Sequence, residues 1–177
     1  MIVVPMAKLI LALLALIAVS CGPLPVSGGQ AASPPANLFS YSSDYGDYIG
    51  LGRSDSFMAA NSKFIVEPGT TPDWLQLVVE RGDSYWSIDL AAPSGHPLQV
   101  GTYENATRLG ARNEKTPVLM IYGDGRGCNE STGSFTIKQI AFDQHGRLVA
   151  LQATFVQRCE APTTGDFHGT IAYGRSQ

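Results

Sequence analysis

Three cysteines, Cys21, Cys128 and Cys159, are the residues of this 177-residue chain with the most distinctive chemistry. A thiol can carry a lipid or form a disulfide, and as a thiolate it can act as a nucleophile or a metal ligand. An odd number of cysteines leaves at least one outside any intramolecular disulfide. Cys21 follows an apolar segment, whereas the other two lie in the second half of the chain, so different roles are expected.

The segment before Cys21 predicts export. Lys8 precedes an apolar run of eleven residues, Leu9 to Val19, which is too short to span a bilayer and is typical of a secretory signal. The ending Ala18-Val19-Ser20-Cys21 resembles the bacterial lipobox, although the lipobox prefers Leu where Ala18 stands. That resemblance implies a lipoprotein signal peptide over residues 1–20 and a Cys21 acylated with chains such as palmitate. The alternative is an ordinary signal peptide cut near Ser20, which leaves Cys21 a free thiol.

Residues 21–37 contain the lipidated cysteine and a stretch rich in Pro, Gly, Ser and Ala without apolar periodicity, which predicts a flexible tether. Residues 38–177 then form one domain. With Cys21 acylated, Cys128 and Cys159 remain to pair, and an oxidising extracytoplasmic compartment favours their disulfide. We therefore expect a lipid-anchored protein of the cell envelope, on the outer membrane if the organism has one, because Gly22 replaces the Asp that signals inner-membrane retention.

Two segments predict a long hairpin that supports the disulfide. Phe135 to Asp143 and Arg147 to Gln157 are rich in β-formers and flank a polar turn that contains Gly146. Pairing them about His145 places Cys159 opposite Ser131, close to Cys128. The register brings apolar residues together on one face, namely Phe135 with Phe155, Ile137 with Ala153 and Ala141 with Val149.

A second hairpin is predicted from Trp74 to Glu80 and from Tyr85 to Ala91. Its register pairs Val79 with Trp86, Leu77 with Ile88 and Leu75 with Leu90, so one face is wholly apolar. Further strands are predicted at Leu38 to Ser42, Asp47 to Leu51, Ser56 to Val66, Leu98 to Tyr103, Val118 to Tyr122 and Phe167 to Tyr173. Together these predict an all-β fold, an antiparallel β-sandwich or flattened barrel of eight to ten strands.

Trp74 and Tyr85 are the candidate ligand-binding residues. Both fall on the polar side of the second hairpin, where exposed aromatic rings could stack on the faces of sugars. The structural alternative is that Trp74 covers the end of a strand.

Other motifs have structural explanations. Arg81-Gly82-Asp83-Ser84 matches the short signal that animal integrins bind, but Gly-Asp also makes a hairpin turn. The stretch from Asp124 to Glu130 could bind Ca²⁺ through oxygen atoms, yet it lacks alternating acidic ligands, which favours a tight turn beside the disulfide. The three histidines are isolated from one another. We therefore expect no catalytic residue, metal or cofactor, while a catalytic pair formed by Asp124 and Glu130 is the enzymatic alternative.

Several motifs taken together resemble an uncharacterised exported β-domain family of bacteria. The resemblance spans residues 38–173. It is carried by Gly46-Asp47-Tyr48-Ile49-Gly50, Leu90-Ala91-Ala92-Pro93 with Pro97-Leu98-Gln99-Val100-Gly101-Thr102-Tyr103, Gly123-Asp124-Gly125-Arg126-Gly127-Cys128-Asn129 and Phe155-Val156-Gln157-Arg158-Cys159-Glu160. It implies an extracytoplasmic domain in which the two cysteines are a paired feature, and it implies no activity.

These observations favour a non-enzymatic interaction or adhesion module, with a carbohydrate-binding module as the alternative. The expected partners are the membrane, through the lipid, and a glycan or an envelope protein. The formal net charge of −3 gives no reason to expect binding to nucleic acid.

Overall fold

The computed structural model describes residues 36–175, and Cys21 with its flanking segments lies outside that range. The described chain is all-β, as predicted, with one short 3₁₀ turn at Leu109–Ala111. The ten strands are β1 Leu38–Ser43, β2 Ser54–Met58, β3 Lys63–Val66, β4 Trp74–Arg81, β5 Ser84–Ala91, β6 Gly101–Thr107, β7 Val118–Gly123, β8 Ser131–Phe142, β9 Leu148–Cys159 and β10 Phe167–Gly174.

All ten strands belong to one curled sheet, a half-barrel, in the order β2-β1-β10-β9-β8-β6-β7-β5-β4-β3. Neighbours are antiparallel except β6 and β7, which are parallel and share only the pair Thr107 and Val118. The two edge strands, β2 and β3, follow one another in the chain. The connection between them therefore brings the two edges of the curled sheet close together.

The β4–β5 hairpin has the predicted register, with Leu75 opposite Leu90, Leu77 opposite Ile88 and Val79 opposite Trp86. The β8–β9 hairpin pairs Phe135 with Phe155, Ile137 with Ala153 and Ser131 with Cys159, also as predicted. The pair of Ala141 with Val149 is wrong, because a bulge between Ile137 and Gln139 shifts the register and Ala141 faces Ala150. Beyond the bulge the faces exchange, so Ala141 is exposed.

Three predicted strands need correction. The strand predicted at Leu98 to Tyr103 is β6, which begins at Gly101 and continues to Thr107. Asp47 to Leu51 forms turns instead of a strand, because the buried Asp47 carboxylate accepts hydrogen bonds from the backbone N–H of Ile49 (3.2 Å) and Gly50 (2.7 Å) and from Ser43 Oγ (2.6 Å). The segment from Ser56 to Val66 contains a turn, so it forms the end of β2 and the whole of β3.

The core lies inside the curl and is rich in aromatic side chains. Trp86 is fully buried and stacks on Phe167, with ring centroids 5.5 Å apart and planes 4° from parallel. Phe39 packs against Trp86 at 5.5 Å and against Phe57 at 5.8 Å. These contacts join β1, β2, β5 and β10, so the aromatic side chains connect strands that lie far apart in the order of the sheet.

Polar side chains complete the sheet where strand pairing is lost. Gln157, only 1% exposed, extends from β9 to β7, where its Oε1 accepts from Ile121 N–H (2.8 Å) and its Nε2 donates to Ile121 C=O (2.9 Å). Arg81 extends from β4 to β2, where it donates to Ser56 C=O (3.0 Å) and to Asp55 Oδ2 (2.5 Å). Each side chain therefore bonds to the side of a strand that has no backbone partner at that point.

The predicted disulfide is confirmed. Cys128 and Cys159 are joined with an S–S distance of 2.00 Å and a sequence separation of 31 residues. The bond connects the loop after β7 to the end of β9, while Glu160 accepts hydrogen bonds from the backbone N–H of Asn129 (3.2 Å) and Glu130 (3.1 Å). This loop is therefore held by both a covalent and a polar contact.

Candidate functional site

The two predicted ligand-binding aromatics lie on the same outer face but at opposite ends of the β4–β5 hairpin. Trp74 pairs with Ala91 at one end, and Tyr85 pairs with Glu80 at the other. Six residues along a strand correspond to about 20 Å. Trp74 and Tyr85 therefore do not form a single sugar subsite.

Trp74 is partly buried and donates its indole N–H to Asp89 Oδ1 at 3.2 Å. Gln76 lies directly opposite Asp89, and its Nε2 donates to Ser87 Oγ at 3.2 Å. Trp74 is the first residue of β4, and its indole lies against the polar residues of the sheet.

Asp89 is the most unusual titratable group on this face. It is fully buried, and no described residue bonds to its Oδ2. Burial raises the pKa of Asp89 from its ordinary value of 3.8 to about 6, and the hydrogen bond from the Trp74 indole limits the increase. The carboxyl group is therefore close to half protonated in mildly acidic solution.

Tyr85 lines a surface groove of about 470 Å³ together with Tyr122 of β7. Tyr122 lies opposite Ser87 on the neighbouring strand, so the two tyrosines share the outer face. Burial first, and then the neighbouring Tyr122, raises the pKa of Tyr85, so its hydroxyl group stays protonated at neutral pH. The other lining residues come from the two adjoining turns and are Asp83, Gly123, Asp124, Gly125, Arg126 and Gly127.

The turn at Asp124-Gly125 shapes this groove. Asp124 and Gly125 have φ values of +48° and +77°, as a type I′ turn requires. Asp124 Oδ1 accepts from Ser84 Oγ (2.9 Å) and from Tyr85 N–H (3.1 Å), so the carboxylate fixes the turn against β5. Arg126 Nε donates to Ile49 C=O at 2.7 Å and holds the other side of the turn.

Close packing accounts for the glycines that flank the turn. A Cβ on Gly123 would lie 2.4 Å from the Trp86 ring, and a Cβ on Gly127 would lie 3.2 Å from Tyr122 Cβ. Only a residue without a side chain fits against Trp86 at the first position. The sequence Gly-Asp-Gly-Arg-Gly therefore allows close packing against the core and also forms the floor of the groove.

Tyr122 is a functional candidate that the sequence prediction missed. Its alternation with Met120 along β7 could have placed both on one face. What the sequence could not supply was the pairing of β7 with β5, because the two strands are separated by β6 and a long loop.

The other motifs lie in turns and loops within the described residues. Gly82 and Asp83 form the two-residue turn between β4 and β5, with Gly82 at a φ of +57°. Asp124 and Glu130 line different surface depressions. In residues 36–175, the acidic and sulfur groups close enough to hold a metal ion are Cys128, Cys159 and Glu160, and the two sulfurs there are bonded to each other.

No helix within residues 36–175 is long and apolar enough to cross a bilayer.

Comparison with known proteins adds no assignment. No family model matches the chain, and neither a curated protein nor a solved structure shows a significant match. The resemblance to an exported bacterial domain family stays a prediction, and the function must be argued from the site itself.

Proposed function

We propose that this chain is a lipid-anchored protein of the bacterial cell envelope whose β-domain is a non-enzymatic interaction module. Its contact surface is the groove lined by Tyr85 and Tyr122, which is the observation that carries the proposal. Cys21 attaches the chain to the membrane, and the residues between Cys21 and the domain hold the groove away from the lipid surface.

Anchoring is supported by the allocation of the three cysteines. Cys128 and Cys159 are joined in the domain, which leaves Cys21, directly after the apolar run, for acylation. A disulfide-bonded domain suits an oxidising compartment. Two or three acyl chains provide stable membrane attachment, because each buried methylene contributes about 0.8 kcal/mol.

Binding is favoured over catalysis by the way in which Asp124 is used. One of its oxygens already accepts hydrogen bonds from Ser84 and from the backbone of Tyr85, so the carboxylate holds the groove in shape. Two neighbouring phenol rings with hydroxyl groups at their edges provide both apolar contact and hydrogen bonds. Such surfaces are common in protein recognition.

A carbohydrate ligand is the second candidate, favoured by the pairing of two tyrosines beside the Asp83 carboxylate. Aromatic faces stack on the C–H faces of sugars, and carboxylates accept hydrogen bonds from sugar hydroxyl groups. A glycan would therefore lie across Tyr85 and Tyr122, without reaching Trp74.

A glycan array probed with the full chain in detergent separates these two candidates. If the ligand is a carbohydrate, Tyr85→Ala and Tyr122→Ala should each abolish binding, whereas Trp74→Ala, at the far end of the hairpin, should retain it. Binding by the wild type that survives both tyrosine changes would refute the groove as a glycan site. If no glycan binds, the carbohydrate alternative is rejected.

The lipid anchor has its own test. Mass spectrometry of the amino-terminal peptide from the membrane fraction should show a diacylated Cys21 as the first residue. Cys21→Ser should release the protein from membranes, while the domain keeps its disulfide. An unmodified amino terminus on membrane-bound protein would disprove acylation.

A further inference from the structure

The two edge strands differ in how their free backbone groups are occupied. Ser43 N–H donates to Arg53 C=O and Ala59 N–H donates to Asn37 C=O at the two ends of the β1–β2 ladder. The outward-facing backbone groups of β2 therefore belong to Ser54, Ser56 and Met58. Ser56 C=O accepts from Arg81 (3.0 Å), Ser56 N–H donates to Asp55 Oδ1 (2.7 Å), and Met58 N–H donates to Asn61 Oδ1 (3.0 Å). Side chains therefore block the part of this edge from Ser56 to Met58 against pairing with another strand.

The edge at β3 is not blocked in this way. Glu67 N–H donates to Gln76 C=O at 3.0 Å, which sets the alternation of the β3–β4 ladder. Ile65 consequently bonds toward β4, whereas Phe64 and Val66 direct their N–H and C=O groups away from it. No residue between 36 and 175 forms a hydrogen bond with these outward-facing groups.

A groove of about 440 Å³ borders this free edge. Phe64 and Val66, both partly exposed, form one wall, and Leu148 and Tyr173 face them from the ends of β9 and β10. Apolar surface beside unpaired backbone groups is what an added strand requires, because its alternate side chains need a place to pack.

Two guanidinium groups line the same groove. Arg147 Nε donates to Asp143 Oδ2 at 2.8 Å, and Arg175 Nη1 donates to the same oxygen at 3.2 Å. The single Asp143 carboxylate therefore binds both guanidinium groups, and each of them retains other N–H groups that can donate to a ligand. Glu67 also lines the groove but belongs to the β3 side, so an incoming acidic group is favoured beside the arginines.

We propose that the free edge of β3 binds an extended peptide of another protein as an additional strand. The peptide backbone pairs with Phe64 and Val66, an apolar side chain enters the groove, and an acidic side chain lies against Arg147 and Arg175. This site is separate from the Tyr85 groove and does not depend on it.

The test uses the full chain in detergent and fluorescent heptapeptide pools. Each pool has Val at positions 2 and 4 and either Asp or Lys at position 6, so that all three side chains point to the same face of the strand, and binding is followed by fluorescence anisotropy. The Asp pool should bind about tenfold more tightly than the Lys pool. Methylation of the amide nitrogens of the Asp pool should abolish binding, because it removes the donors that a paired strand needs.

Variants locate the site. Val66→Pro removes an outward-facing N–H without breaking the β3–β4 ladder, so it should weaken binding of the Asp pool about tenfold or more. Arg147→Gln should remove the preference for Asp over Lys, and Val156→Ala, an exposed change on β9, should alter neither result. If Val66→Pro does not fold, the comparison of methylated with unmethylated peptides still tests whether binding depends on backbone hydrogen bonds.

Equal binding of methylated and unmethylated peptides would overturn the proposal, and so would a failure of both pools to bind.

Discussion

Replacing Asp89 by Asn should remove most of a pH dependence that burial of this carboxyl group imposes on the stability of the domain. Asp89 is fully buried on the outer face of β5, and the resulting desolvation raises its pKa to about 6. Above that pH the folded protein contains a buried negative charge that no described cation neutralises. Asn has nearly the same shape and can still accept the Trp74 indole N–H, but it carries no charge.

The magnitude follows from the change in pKa. A rise from 3.8 to about 6 is roughly two units, and at about 1.4 kcal/mol per unit it corresponds to about 3 kcal/mol. The folded state binds the proton more tightly than the unfolded state. Between about pH 4 and pH 6 the folded chain therefore holds more protons, and the free energy of unfolding falls as pH rises. This contribution is complete below the window and lost above it.

Urea unfolding followed by tryptophan fluorescence, with the disulfide intact, measures the effect. The free energy of unfolding of Asp89→Asn minus that of wild type should increase by about 2 to 3 kcal/mol between pH 4 and pH 7.5. The new amide N–H group needs an acceptor, and leaving it unpaired costs about 1 to 3 kcal/mol. That cost is the same at every pH, so the change across the window tests the reasoning, whereas the absolute difference does not.

Asp83→Asn is the matched control, because it makes the same chemical change in an exposed turn. It should leave the pH profile close to that of wild type. Parallel profiles for wild type and Asp89→Asn would show that the carboxyl group is not buried as described, and would refute the argument.

Three further changes test the contacts that hold the curled sheet together. Replacing Cys128 and Cys159 by Ser should lower the free energy of unfolding by about 3 to 4 kcal/mol, as should reduction of the wild type, and urea titrations should show the two losses to be equal. Arg81→Met should cost about 1 to 3 kcal/mol by the same method, because it frees the β2 edge, whereas Lys63→Met, which breaks an exposed pair, should cost under about 0.5 kcal/mol. Gln157→Leu should cost about 3 kcal/mol, since it leaves two buried backbone groups unpaired, and a loss below about 1 kcal/mol would mean that water replaces the amide.

Local pairing was the predictable part of the fold. Both hairpins have alternating apolar residues on either side of a short turn, and this pattern fixes the register of β4 with β5 throughout. The register of β8 with β9 was correct as far as the bulge after Ile137. One extra residue there exchanged the two faces, and alternation alone does not reveal such an insertion when both faces contain small or apolar residues.

The candidate site was only partly predictable for a related reason. Tyr85 lies on the exposed face as its alternation requires, but its neighbour Tyr122 arrives through the pairing of β5 with β7. Trp74 shares the face and yet lies at the far end of the hairpin, where it bonds to Asp89. A sequence can assign residues to a face, whereas the distance between them depends on where along each strand they lie and on which strands become neighbours.

Gln157 is a residue whose burial can be predicted from the sequence, whereas its hydrogen-bond partners are known only from the fold. Its alternation with Phe155 and Cys159 places it on the core face of β9, where an amide with both ends unpaired would be strongly unfavourable. A buried glutamine on an apolar face therefore predicts that a neighbouring segment has one unpaired hydrogen-bond donor and one unpaired acceptor with which the amide can bond. The parallel contact of β6 with β7 is too short to cover Ile121, so the missing strand leaves one N–H and one C=O that the amide satisfies. The sheet thus continues from β9 to β7 through a side chain, and the aromatic core can extend across a junction that backbone pairing alone would leave open.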